Sequence, residues 1–402
     1  MSVNRMSTMR YGAHANINDL TSTPGTLIFL KPDDIQGLKP GERNKIEEPV
    51  IDEFNYNNRS LPGNQNLEAR QFSIEARGAA GTGVEALASA TSIALGKLLE
   101  SVFGNVTDAS STGSTVSSAT TTAVTVASGT NYANGMICMF NVGGGILEAR
   151  RITVSGNVLT VDRPLSAAPA ASTQVWRSVR YQAATDAPMR IPIYIDAELR
   201  NVWRNILFGC TPAACSLSIA NGERAIWTFS FVPNKFDATQ ANANPSVTLP
   251  SDGSTIKGTN SQLWIGDTGF MVRDVSVEFG ITHTPREAQY LGSEGIYAGT
   301  VDMQDPIISA TVYQYGTVQA ITGGIQQNTG TVTAENLKDG GAKDVFLQVG
   351  MTRGAWMAVH MSGADCISAE NVPANNVPAI KLQFKASRIA GSNNYPCAVA
   401  IG

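Results

Sequence analysis

Three histidines, His14, His283 and His360, are the first residues to weigh for acid–base or nucleophilic chemistry. A Ser–His–Asp machine needs one histidine held beside a nucleophile and oriented by a carboxylate. His14 falls in an irregular N-terminal stretch, His283 near a turn, and His360 in an alternating strand pattern, so no spacing selects one of them. Glu47, Glu48, Asp52 and Glu53 form an acidic cluster. Such groups can bind a hard cation or act as paired carboxylates. Calcium-loop spacing is missing, and Arg43, Lys45 and Arg59 stand nearby, which reads as a solvated or intersubunit charge patch. Gly143-Gly144-Gly145 resembles part of a phosphate cradle, but a cradle needs a helix after it. Strand-like sequence follows instead, so these glycines predict a hairpin turn.

The five cysteines, Cys138, Cys210, Cys215, Cys366 and Cys397, are scattered among small and apolar neighbours. Zinc sites pair cysteines or histidines at short spacing. Cys210 and Cys215 have no second pair, so the expectation is buried free thiols in a protein made in a reducing compartment. Trp176, Trp203, Trp227, Trp264 and Trp356 fall at core-facing phases. No residue set assembles a catalytic, cofactor or metal site, and the reading at this point is that the chain is not an enzyme.

The elements that would position these residues are mostly strands. Phe72, Ile74 and Ala76 alternate with Ser73, Glu75 and Arg77, a half-buried strand within 67–78. Thr82 and Glu85 have capping-box spacing, and apolar residues from Val84 to Val102 recur at helical intervals, predicting a helix over 83–102 that stops at Gly104. A second helical pattern covers 196–208, with Asp196 as its cap and Leu199, Val202, Trp203, Ile206 and Leu207 on one face. The tract 112–178 has its own β pattern, with Ser155-Gly156-Asn157 as a hairpin turn, and reads as a small inserted β domain. Beyond residue 214 the pattern is β throughout, and Trp227, Phe229 and Phe231 share one strand face. Residues 1–65 look like an arm or long loop around one short strand at 27–30, and 235–258 like a polar loop. The expected class is mainly β with one or two helices, divided into an arm (1–65), a main β domain (66–111 and 179–402) and the insert (112–178).

Composition narrows the function. Of 402 residues, 43% are hydrophobic but only 15% are charged, where about 25% is typical. A soluble monomer uses interspersed charge to stay apart from its copies, so sparse charge suggests surface that ends against another subunit, or else an extracellular β protein with a neutral polar surface. Net charge is −4, which offers no basic stripe for phosphates. A weakly acidic surface can still line a passage for DNA. Neither a signal-peptide core nor a run of roughly twenty apolar residues occurs, so neither export nor a membrane anchor is expected.

Four stretches together resemble the major tail proteins (tail tube proteins) of long-tailed bacteriophages. They are QFSIEARGAAGTG with a helix ending LGKLLESVFG; LSIANGERAIWTFSFVP; MVRDVSVEFGITHTPREAQYLGSEGI; and DVFLQVGMTRGAWMAVHMSGA with IKLQFKASRIAGSNNYPCAVAIG. The block containing EARRITVSGNVLTVDRPL is similar to a small β module inserted in some of these proteins. The resemblance covers most of 66–402 and rests on order and pattern. It implies a tail-tube-type β-sandwich or barrel subunit in hexameric rings, whose sheets join into an inner barrel and whose rings stack into a tube in the virion tail. The implied partners are other copies, the tail terminator or head–tail connector, baseplate or tail-tip proteins, and the tape-measure protein, with DNA later passing through the lumen. Candidate barrel strands are 69–77, 224–232, 270–279 and 301–313, with Phe72, Ile74, Thr228, Ser230, Val275, Val277, Ile308 and Thr311 as candidate interface residues. Arg10, Tyr11, Lys235 and Asp237 are candidates for ring-to-ring contact. Rival readings are another virion β protein (head–tail joining, decoration or baseplate subunit), a carbohydrate-binding module, or a hydrolase with an unusual site.

Overall fold

The computed structural model describes residues 7–13, 26–29, 43–52, 55–65, 69–78, 95–107, 113–183, 193–199, 203–233, 235–239, 254–259, 261–284, 300–303, 305–313, 341–374, 377–386 and 397–402. The strands before the helix are β1 (Ser7–Ala13), β2 (Thr26–Phe29), β3 (Arg43–Asp52), β4 (Asn55–Gln65) and β5 (Arg70–Glu75). Helix α1 (Gly96–Phe103) and β6 (Gly104–Thr107) follow. A compact group then comprises β7 (Ser114–Ala119), β8 (Ala123–Val126), β9 (Ile137–Gly143), β10 (Ile146–Ser155), β11 (Val158–Val161) and β12 (Gln174–Trp176). Next come β13 (Val179–Ala183), β14 (Ile193–Leu199), β15 (Trp203–Ala220), β16 (Ile226–Val232), β17 (Lys235–Thr239), β18 (Gln262–Ile265) and β19 (Thr268–Glu278). The last are β20 (Ile281–Thr284), β21 (Thr300–Met303), β22 (Ile307–Tyr313), β23 (Lys343–Thr352), β24 (Ala355–Ala374), β25 (Val377–Ala386) and β26 (Cys397–Ile401). The fold is mainly β, as the alternating sequence pattern requires.

Two antiparallel layers share strands. Sheet one runs β5-β16-β15-β19-β22-β25-β24, using the second halves of β15, β19 and β24. Sheet two runs β19-β18-β23-β24-β26-β13-β6, using the first halves of β19 and β24. The shared strands close a circuit, β19-β22-β25-β24-β23-β18, so the sandwich is a barrel along one flank. A strand can turn such a corner only by bending, and bulges or glycines permit the bend. β19 shifts register between Val272 and Asp274. β24 turns at Gly363, where φ is 61°.

Between the layers lies an aromatic core. Phe72 stacks on Phe231 at 6.0 Å, Trp227 on Phe279 at 5.6 Å, and Phe103 meets Phe279 edge-on at 5.1 Å. Phe103 ends α1, and Leu98, Leu99 and Val102 are buried with it. The helix packs against β6, β13 and β15. Gly104 adopts φ 79° and its N–H donates to Glu100 O, a left-handed stop that suits glycine because it lacks a Cβ. The predicted stop at Gly104 therefore stands, while the capping box and residues 83–94 lie outside the described residues.

Three expectations are corrected. The helix predicted over 196–208 is a β-hairpin: Leu199 pairs with Trp203 and Asp196 with Ile206, so the predicted cap has no helix to start. Ile193, Tyr194 and Ile195 before it and Ile206 and Phe208 within it are β-branched or aromatic, and pairing with β1 and β17 decides in favour of strand. The N-terminal 65 residues are not one irregular arm, since β1 joins β14 in the large sheet and β3 and β4 form a hairpin. The loop expected over 235–258 contains β17 and two isolated bridges, at Thr255 and Lys257.

Strands β7 to β12 close a separate small barrel in the order β10-β11-β8-β7-β12-β9. Its core includes Val124, Phe140, Ile152, Leu159 and Val175. Gly143, Gly144 and Gly145 all take positive φ and form the predicted hairpin turn between β9 and β10. Gly156 and Asn157 form the next turn, where Asn157 Oδ1 accepts the Gly129 N–H at 3.0 Å. A second apolar cluster joins this barrel to sheet two through Ile137, Met139, Leu147 and Ala149 against Trp264, Phe346, Trp356, Ala358 and Ala400.

Candidate functional site

Period-two alternation on sheet one separates its side chains into two faces. Three of the four predicted barrel strands lie in this sheet as β5, β16 and β19, with β15 between β16 and β19. The fourth, 301–313, is not one strand, because 301–303 belong to β21, paired with β20 in a separate hairpin, and only β22 joins the sheet. Phe72, Ile74, Val275, Val277 and Ile308 point inward and are buried in the subunit's own core. Their side chains build the sandwich and have no surface to offer a partner. Thr228, Ser230 and Thr311 are half-buried, on the opposite, outward phase.

That outward face has a regular composition. One rung reads Glu75, Ile226, Ser218, Ser276, Ser309, Gln383 and Ser368 across seven strands. The next reads Ser73, Thr228, Ser216, Glu278, Ile307 and Lys385. None of these residues is buried. Ser73 and Thr228 hydroxyls meet at 3.1 Å, Arg224 pairs with Glu75, and Lys385 Nζ lies 2.8 Å from Asp305 Oδ2. The face is thus broad, hydroxyl-rich and nearly neutral. Ser216 and Ser218 on β15 and Gln383 on β25 were not among the predicted site residues. Their signal was the polar–apolar alternation in CSLSIA and IKLQFKA, legible locally but without any indication of which strands lie side by side.

Arg10 and Tyr11 lie on β1, opposite Asp196 and Ile195 of β14. Lys235 and Asp237 lie on β17, opposite Phe208 and Ile206 of β15. Their backbones are therefore engaged within the chain, and the side chains of these four lie outside the described residues. The β3–β4 hairpin stands apart: among the described residues its two strands pair only with each other.

The chemistry-bearing residues do not converge. His283 Nε2 lies 2.9 Å from Thr211 Oγ1, and burial lowers its pKa. His360 is buried beside Asp344 in another layer, and His14 lies outside the described residues. Of the acidic cluster, Glu47, Glu48 and Asp52 are on β3, while Glu53 is outside the described residues. Among the described residues no group of three His, Cys, Asp or Glu side chains could hold a metal ion. All five cysteines are free thiols, with Cys366 half-buried and the others buried. Trp227, Trp264 and Trp356 are core residues, Trp176 is half-buried, and the Trp203 side chain lies outside the described residues. Among the described residues no helix is long and apolar enough to cross a membrane. No family model matches the sequence, and no curated protein matches it.

Proposed function

We propose that this chain is a structural subunit of a self-assembling β-rich tube, the major tail protein of a long-tailed bacteriophage. The observation that carries the reading is the β3–β4 hairpin. An isolated two-stranded hairpin is marginal in water, because it has too little apolar surface to offset the ordering of its backbone. Ten residues of β3 at about 3.3 Å each reach roughly 33 Å. A ribbon of that length, whose strands pair only with each other among the described residues, is suited to docking on another copy. Rings of six such subunits would join through the edges of sheet one, β5 and the second half of β24, which removes exposed edges by closure. The hydroxyl-rich outer face would then line the conduit. A nearly neutral lining suits DNA passage, since cations on it such as Arg224 and Lys385 are paired with carboxylates and so hold phosphates weakly.

The test is negative-stain electron microscopy of the full chain across a concentration series, beside a variant in which 43–65 is replaced by a short Gly/Ser linker. Hollow tubes or six-fold rings from the full chain, lost in the variant, are expected. A full chain that stays monomeric throughout the series overturns the reading. Normal tubes from the variant remove the hairpin as its basis.

A further inference from the structure

Sheet two presents a row of three large side chains toward the small barrel. Trp264 on β18 lies opposite Phe346 on β23, which lies opposite His360 on β24. Their exposures are 2%, 0% and 4%. The barrel supplies the cover: the Arg150 guanidinium sits 5.1 Å from the Trp264 ring centroid, and that of Arg163 sits 4.9 Å from the centroid of Phe346. The His360 ring is 6.3 Å from that of Phe346, so the row ends in a titratable group.

The His360 imidazole is poorly supported there. Among the described residues its Nε2 has no hydrogen-bond partner, and it lies 3.7 Å from Asp344 Oδ2. Charged groups reach it from three elements: Asp344 on β23, Arg151 on β10, and Arg163 in the segment after β11. Nearby carboxylates are already engaged. Asp162 pairs with Arg163 at 3.0 Å, Glu148 with Arg150 at 2.7 Å, and Asp344 Oδ1 accepts the Gly363 N–H at 3.1 Å. Asp267 acts on Arg163 from the β18–β19 turn, and Arg180 on β13 donates to Gly135 O. Burial first, then Arg151 and Arg163, lower the pKa of His360, against the opposing pull of Asp344.

We propose that His360 is an acid-sensitive latch between the small barrel and sheet two. Neutral, it lets the arginine-clamped interface close. Protonated, it adds a cation to a buried site that already holds Arg151 and Arg163, and the β9–β10 face leaves sheet two. In a detached state the imidazole recovers its ordinary value, about 6.5. The detached state then binds the proton more readily, so attachment is complete above that pH and weakens as the pH falls below it. This inference concerns the junction within one subunit and does not depend on tube assembly.

Hydrogen exchange of the full chain tests it, read on peptides covering 137–151 and 343–350 and corrected for intrinsic rates. On lowering from about pH 7.5 to about pH 5, the range over which histidine titrates, both peptides should lose protection. His360→Gln should abolish the acid response. Should that variant fail to fold, Arg151→Gln, at a half-buried position, removes one opposing cation and should shrink the response. His283→Gln is the control and should respond like the parent chain. Unchanged protection of the parent at acid pH overturns the latch. So does an acid response retained by His360→Gln, unaltered in Arg151→Gln, or lost in His283→Gln.

Discussion

Replacing Arg150 by Met should destabilise the chain more than replacing Glu148 by Gln, and the double replacement should cost less than the sum of the two. The pair is buried, with side-chain exposures of 1% and 3% and an Nη2–Oε2 distance of 2.7 Å. Breaking a buried pair by removing one partner costs about 3–5 kcal/mol, because the other charge is left uncompensated. The two ends of that range belong to different members. Without the Glu148 carboxylate, Arg150 still donates to Ala149 O at 2.9 Å, Pro164 O at 3.2 Å and Arg163 O at 3.3 Å. Glu148→Gln should therefore fall near about 3 kcal/mol. Without Arg150, the carboxylate keeps, among the described residues, only the Ser166 N–H at 3.1 Å, those three carbonyls lose a donor, and the contact with Trp264 is gone. Arg150→Met should therefore lie near about 5 kcal/mol. The assay is reversible urea unfolding of the full chain at a concentration too low for assembly, with each variant and the double variant compared by linear extrapolation. Strict additivity, or either single change costing under about 1 kcal/mol, the range of an exposed ion pair, would refute the claim that this pair works as a buried unit.

Gly350→Ala should also be strongly destabilising. Gly350 has φ 80°, and an added Cβ would stand 2.2 Å from Ala355 O, which is backbone and cannot move aside. The left-handed conformation alone adds about 1–2 kcal/mol for a residue with a Cβ, so a thermal unfolding midpoint unchanged by the substitution would contradict the β23–β24 turn geometry. Ser218→Lys, on the outward face of sheet one, should leave subunit stability within about 0.5 kcal/mol, as surface substitutions do. A much larger loss in urea unfolding would mean that this face is packed within the subunit.

The structure divides what was legible in the sequence from what was not. In Ile226–Val232 the aromatic residues alternate with Ile, Thr and Ser, and that period fixed the strand and sorted its side chains into two faces. Gly104 and the three glycines at 143–145 marked a helix stop and a hairpin because each takes a positive φ that other residues resist. Local chemistry of this kind acts over a few residues and can be read from a few residues.

The same reasoning missed the hairpin at 193–210, because Leu199, Trp203 and Ile206 satisfy helical spacing as well as strand pairing. Only β1 and β17, from remote parts of the chain, decide between the two. Likewise, sequence marked Phe72, Val275 and Ile308 as residues of sheet strands. It did not reveal that their side chains are spent on the core, while Ser218, Ser276 and Ser309 align on one outward rung. Alternation states that a strand has two faces, and only the stacking of the second sheet says which of them is covered. The junction of Arg150, Arg163, Trp264, Phe346 and His360 is the clearest case. These residues span 150–360 in the chain, and their meaning arises only where the small barrel closes over sheet two. Sequence by itself determined the class, the turns and the alternation. Tertiary structure decided which face was buried and which distant charges met, because burial and long-range pairing are properties of the packed whole.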